Sequence, residues 1–274
     1  MFELRIPLKA NTVEAVKRDL GLSLPQVKSS HRVEAAARGL GFLTHAALLA
    51  SVRAGNRVSG PVNGEPFQNY LLDHDYRVAS EHFYRAVARG AICDVLEREP
   101  RLSYCGYYID GPERLPNGKR ETAIQHHERF LKEREKLSSD LACVEFLQSL
   151  VLLQQLRPIK NINHRAGSYG LKHIAEKIVC HYPGGEKLGP GYIANGTLIV
   201  AAVHAGFKYK TYVDHLGYES VNVAFNMSRV SIDDVLIEVD PSRLTDYRAV
   251  RATRRSQIRE KAQGLTTMPI ATAF

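Results

Sequence analysis

The sequence predicts an α+β fold, predominantly α-helical with a small β element. Three observations carry this. Residues 120–155 run for 36 positions without Pro or Gly, which suits long helix. Apolar residues recur at helical spacing in several windows, for example Val33, Ala36, Ala37 and Leu40. Only one window, Ser220 to Ser228, alternates strictly, as a half-buried strand does.

Composition sets the outer bounds. The chain has 274 residues, of which 44% are hydrophobic and 24% charged, with 20 Gly and 12 Pro. That is ordinary globular usage, and it excludes collagen-like and wholly disordered chains. Lys and Arg number 37 against 29 Asp and Glu, a net charge of +8, which favours anionic partners.

The organisation reads as a small helical module over 1–55, a linker and helix with a loop over 56–119, a helical or α+β body over 120–240, and a basic helix with a flexible tail over 241–274. Phe2 to Leu8 predict a short strand. Asn11 or Thr12 would cap a helix reaching about Leu20 and ended by Gly21. Ser29 and Ser30 are cap candidates for a second helix, which Gly39-Leu40-Gly41 breaks, and Thr44 caps a third. Two short helices around a Gly turn admit a DNA-reading helix-turn-helix. The second helix, however, is almost wholly apolar (Ala46, Ala47, Leu48, Leu49, Ala50), which suits packing better. The stretch Ser30-His31-Arg32-Val33-Glu34-Ala35-Ala36-Ala37-Arg38-Gly39-Leu40-Gly41-Phe42 resembles the small helical module of proteins labelled glyoxalase-related. That resemblance brings no catalytic residue with it.

Three Gly and two Pro between Ala54 and Pro66 mark a linker. A helix follows from about Asp75 to Glu97, and Pro100 stops it. Turn signals between Leu102 and Lys119 read as a hairpin or an irregular loop. Ser138-Ser139-Asp140 divides the long helical stretch into a charged first half and an apolar core helix, ended by Pro158.

The densest polar stretch runs from Asn161 to Glu176. Ser168 would cap a helix whose apolar face is Leu171, Ile174, Ile178 and Tyr182. Asn195 would cap the next helix, and Gly206 followed by Phe207 predicts a left-handed stop. In the alternating strand, Val221, Val223, Phe225 and Met227 face one way, with Asn222 and Asn226 on the other face. Ser168-Tyr169-Gly170-Leu171-Lys172-His173, Tyr192-Ile193-Ala194-Asn195-Gly196 and the Asn-rich strand together resemble an uncharacterised protein family found on plasmids, integrative elements and phages. The resemblance spans residues 160–228 and implies a mobile-element setting.

His164, Ser168, Tyr169, His173, Asn195, Asn222 and Asn226 would form a polar pocket if the strand packs beside the two helix N-termini. Such N-termini hold phosphate, and Arg165 and Lys172 stand close by in sequence. The alternative is that Ser168 and Asn195 merely cap and the strand face is solvated.

Specific catalytic motifs are absent: no phosphate-binding P-loop, no dinucleotide fingerprint, no nucleophile elbow and no H-E-x-x-H zinc motif. No catalytic residue, metal site or cofactor is therefore assigned. Cys93, Cys105, Cys143 and Cys180 form no C-x-x-C pair, which suits a reducing cytosol, and no apolar run is long enough to span a membrane. A cytoplasmic location follows as the expectation.

The C-terminal stretch localises the charge. Pro241 to Lys261 hold seven basic and two acidic residues, +5 of the +8. Arg248, Arg251, Arg255 and Arg259 share one face of a helix, with Arg254 beside them. This stripe fits backbone phosphates or an acidic patch on a protein. The functional expectation is a nucleic-acid-binding (DNA or RNA) or accessory protein of a mobile element, using Arg165, Lys172 and the arginine stripe. The alternatives are a module that engages a host or self protein partner, and an enzyme acting on a phosphate-containing substrate.

Overall fold

The computed structural model describes residues 2–55, 58–213 and 217–243. Five helices come first: α1 (Ala10–Ser23), α2 (Ser29–Gly39), α3 (His45–Arg53), α4 (Gly64–Leu72) and α5 (Ser80–Arg98). A small antiparallel hairpin, β1 (Leu102–Ser103) and β2 (Gly106–Tyr107), precedes α6 (Ala123–Lys136), α7 (Asp140–Leu153) and α8 (Ser168–Ala175). β3 (Cys180–His181) pairs with β4 (Lys187–Gly189). Then come α9 (Asn195–His204), β5 (Tyr209–Lys210) paired with β6 (Ala224–Phe225), α10 (Arg229–Val239) and a 3-10 turn, Pro241–Arg243. The architecture is α+β and mainly helical, as expected.

The centre is a stack of α5, α7 and α9, with α1 outside α5 and α8 lying on α7 and α9. α7 and α9 are apolar on nearly all sides, and α5 buries most of its residues, Arg89 and Asp94 included. α7 buries Phe146, Leu147, Leu150 and Leu152, and α9 buries every residue from Asn195 to Ala202. Each such Leu or Phe contributes about 1.5–3 kcal/mol through its burial. One continuous apolar cluster runs from Phe2 to Val235. The N-terminal helices are sealed to the body by Arg89 on α5. Its guanidinium bonds Asp19 of α1, Asp140 of α7 and the Ser138 carbonyl.

Several expected ends are where the residues put them. Thr44 Oγ1 accepts from the Ala47 N–H at 3.1 Å, and Ser139 Oγ accepts from Ala142 N–H at 3.2 Å, separating α6 from α7. Gly206 has φ +85, and Phe207 N–H reaches back to the Ala202 carbonyl at 3.0 Å, which closes α9 with a glycine stop. α1, in contrast, runs through Gly21 to Ser23, with Lys9 as its N-cap in place of Asn11 or Thr12. Propensity costs less there than the Leu20 and Leu24 burial returns.

Phe2 to Leu8 is extended, and its even-numbered residues are buried. It pairs with the stretch expected as a linker: Ser59 N–H donates to Ile6 O and Val62 N–H to Leu4 O, both at 2.8 Å. Gly64 already begins α4, and α5 begins at Ser80 instead of Asp75.

The alternating segment differs from expectation. Val223 to Met227 are all buried, so neither face is solvated. The loop 157–167 pairs along one edge, with Ile159 N–H donating to Asn226 O at 2.7 Å and Asn163 N–H to Phe225 O at 2.9 Å, and on the second face the Asn226 amide donates to Ile159 O at 2.8 Å. Sequence alternation cannot register a cover supplied by an irregular loop.

Candidate functional site

The polar residues singled out in sequence divide into two groups. Asn195, Asn222, Asn226 and Ser168 hold backbone together. Asn195 does not cap α9; Ala194 is the N-cap. Its amide nitrogen donates instead to Val221 O (2.9 Å), Cys105 O (3.2 Å) and Asn222 Oδ1 (3.2 Å), tying the hairpin to the strand region. Asn226 donates to Ile159 O at 2.8 Å and accepts from Lys208 N–H at 2.7 Å. Ser168 does not cap α8 either. Its hydroxyl accepts from Val223 N–H at 3.2 Å while its own N–H donates to Val223 O at 2.8 Å, which fixes the start of α8 against the chain entering β6.

The α9 N-terminus is already occupied. The buried Glu145 carboxylate accepts from Ala194 N–H at 3.1 Å and from Tyr104 Oη at 2.6 Å. Gly196 N–H donates to Tyr104 O at 3.0 Å. The protein's own anion meets the positive end of this helix, so a phosphate has no place there.

The second group sits on α8. Lys172 is buried, 5% exposed. Its ammonium donates to Glu176 Oε1 at 2.9 Å and to Ile193 O at 3.2 Å. The rings of Tyr192 and Tyr169 flank it, with centroids 4.7 and 5.5 Å away. His173 Nδ1 pairs with Glu176 Oε2 at 2.6 Å, and its ring meets that of Tyr169 edge-on at 4.6 Å. Burial alone would raise the Glu176 pKa, but the bonds from Lys172, His173 and Ile193 N–H hold its carboxyl below the usual range. Lys172, expected to touch phosphate, thus has its charge turned inward. Sequence reading missed its partner, although Glu176 stands at i+4 from Lys172 and i+3 from His173, the spacing at which helical ion pairs form.

Between α8 and α10 lies a groove of about 310 Å³. Its floor is apolar (Leu171, Ile174, Ile232, Leu236), and Arg165, His173, Lys177 and Arg229 stand at its edges with Asp240. Arg229 pairs with Asp233 at 2.8 Å. Arg165 and Lys177 are exposed and have no ion-pair partner among the described residues. His164 is also exposed, and its Nδ1 meets Tyr212 Oη at 2.7 Å. The chain leaves this groove through Asp240 and the turn Pro241–Arg243. Arg248, Arg251, Arg254, Arg255 and Arg259 lie outside the described residues. Lys177 and Arg229 were not picked out in sequence, because only packing of α10 on α8 brings them to one groove, and Tyr192 was not, because it reaches Lys172 only where the chain before α9 meets α8.

Another cavity, of about 590 Å³, is lined by Arg5, Asp94, Arg98, Gln154 and His204. Its charges are matched internally: Asp94 bonds Lys9 and Arg98, and Arg5 pairs with Glu3. Burial pushes His204 down to about 4, so it is neutral at physiological pH. The cysteines give no nucleophile. Burial, then Glu133, raises Cys105 to about 11, and burial raises Cys143 to about 12, so both stay thiols at neutral pH. Among the described residues no group of three or more His, Cys, Asp or Glu side chains is placed to hold a metal ion, and no helix is long and apolar enough to cross a membrane. Comparison with protein-family models, with curated proteins and with solved structures finds no match for this chain.

Proposed function

We propose that this protein binds nucleic acid through its phosphate backbone, using the groove between α8 and α10 together with the arginine stripe that follows α10 in sequence. The observation that carries the reading is the pair Arg165 and Lys177. Both are exposed cations without an ion-pair partner among the described residues, at a groove lined by Asp240, after which the sequence continues to Arg248, Arg251, Arg255 and Arg259. Unpaired cations attract polyanions, because each phosphate contact releases condensed counterions. Lys172 supports the reading only indirectly, by fixing α8. An accessory role on a mobile element rests on the resemblance of residues 160–228 alone.

The apolar floor of the groove favours one second reading, an acidic protein segment that seats an apolar side chain between Leu171 and Leu236. The two separate cleanly. Purified protein is mixed with labelled oligonucleotide, and Arg165→Ala/Lys177→Ala is compared with the unaltered chain. The nucleic-acid reading expects affinity to fall in the double variant at every sequence tested. Equal affinity in both proteins, or no affinity above that of a neutral control protein, overturns it.

A further inference from the structure

Tyr169 and Tyr192 are 55% and 63% exposed. Large aromatic rings normally bury much of their area in a folded chain, and these two stay mostly exposed on either side of one buried lysine. Lys172 lies between them, its ammonium 4.7 Å from the Tyr192 centroid and 5.5 Å from the Tyr169 centroid. That ammonium is itself fixed by Glu176 Oε1 and Ile193 O. His173 braces Tyr169 from the side and is braced in turn by Glu176 Oε2. Lys172 and His173 hold the Tyr169 ring and Lys172 lies against the Tyr192 ring, while both rings keep most of their surface exposed. His173 also lines the groove that carries Arg165 and Lys177, so the rings and the unpaired cations share α8 and its immediate flanks.

We propose that Tyr169 and Tyr192 form a stacking platform for unpaired bases, which makes a single strand the preferred nucleic acid. This rests on the groove binding phosphates, as above. The chemistry is specific to a single strand. A duplex keeps its base faces stacked inside, whereas a single strand offers them to any exposed ring, and cations beside the rings take the backbone. The low entropy cost of ordering the braced Tyr169 ring favours the contact further.

The test uses the full chain and three labelled probes of about 12 nucleotides, within the usual span of single-strand sites. They are an oligothymidylate, an oligomer of the same length with abasic sites throughout, and a duplex, each read by fluorescence anisotropy at fixed salt. The unaltered protein is expected to bind the oligothymidylate at least tenfold more tightly than the abasic strand. Tyr169→Ala and Tyr192→Ala each lower oligothymidylate affinity roughly tenfold and leave abasic binding and its salt dependence as they were. Tyr169→Phe and Tyr192→Phe keep the ring and retain binding. Equal affinity of the unaltered protein for the oligothymidylate and the abasic strand overturns the platform, whatever happens to the folding of any variant, while leaving the groove reading standing. Tighter binding of the duplex than of the oligothymidylate overturns it also. Absence of salt-dependent binding to all three probes overturns the groove reading itself, and the platform with it.

Discussion

Lys172→Met separates a cation that builds the fold from one that binds a ligand. The substitution keeps an unbranched apolar stem of similar length and removes the ammonium. In the structure that ammonium is buried and bonds Glu176 Oε1 at 2.9 Å and Ile193 O at 3.2 Å. Its loss leaves one carboxylate and one carbonyl short of a partner in a poorly hydrated place. Breaking one side of a buried pair costs about 3–5 kcal/mol. Glu176 keeps its His173 and Ile193 N–H bonds and some exposure, which places this case near the low end, about 3 kcal/mol. A chain of 274 residues unfolds with an entropy of roughly 0.6 kcal/mol per degree, so Tm falls by about 5 °C. Differential scanning calorimetry reads the shift, and oligonucleotide binding at several salt concentrations reads the charge. The slope of log K against log salt is expected to be unchanged, since Lys172 touches no phosphate. A Tm that stays put, together with a slope shallower by about 0.7, would falsify the burial argument and return Lys172 to the ligand surface.

Other expectations are as follows. His204 has its pKa lowered by burial from 6.5 to about 4, with Asp94 raising it, Arg98 lowering it and the Arg5 backbone raising it. A depressed folded pKa means that the unfolded chain takes the proton first as pH falls. Its contribution is therefore whole above pH 6.5 and is lost between 6.5 and about 4, amounting to about 3 kcal/mol. Urea titrations of His204→Phe across that range should show a correspondingly flatter pH dependence than the unaltered chain, and an identical dependence contradicts the assignment. Gly196→Ala would put a Cβ 1.8 Å from the Ser103 carbonyl oxygen, so α9 must part from the hairpin. We expect a loss above about 3 kcal/mol, seen as a Tm drop of 5 °C or more, and a fully stable variant would show that the approach is not as close. Asn226→Ala strands the Ile159 carbonyl and the Lys208 N–H and should cost about 2–3 kcal/mol in chemical denaturation, against a surface-like change below 0.5 kcal/mol if loop 157–167 is loosely held.

Three helix ends were legible because they depend on a few adjacent residues, while the starts of α1, α2 and α5 were not. Gly206 with Phe207, Thr44 and the Ser138-Ser139 break are read locally and hold in the structure. The roles of Ser168 and Asn195 were not legible. Both stand where caps belong, yet a cap residue and a cross-strand hydrogen bonder have the same side chain. Long-range packing decides between them. Asn222 and Asn226 misled for a related reason: alternation implied a wet face, whereas Asn222 meets the Asn195 amide and Asn226 the Ile159 carbonyl, 27 and 67 positions earlier in the chain. The charge at the site inverted likewise. Lys172 was visible as a cation, but its burial followed from α8 lying against α7 and α9, and the exposed cations proved to be Arg165, which was anticipated, and Lys177, which was not.

The claim that the basic groove and the following arginines hold phosphates is tested most directly by salt. The full chain is titrated with a single-stranded oligonucleotide across a range of salt concentrations. Two unpaired cations at the groove, Arg165 and Lys177, and four on the stripe predict a log–log slope of about −4, and Arg251→Ala/Arg255→Ala/Arg259→Ala should reduce its magnitude by about 2. A slope near zero, or one that the triple variant leaves unchanged, contradicts the account.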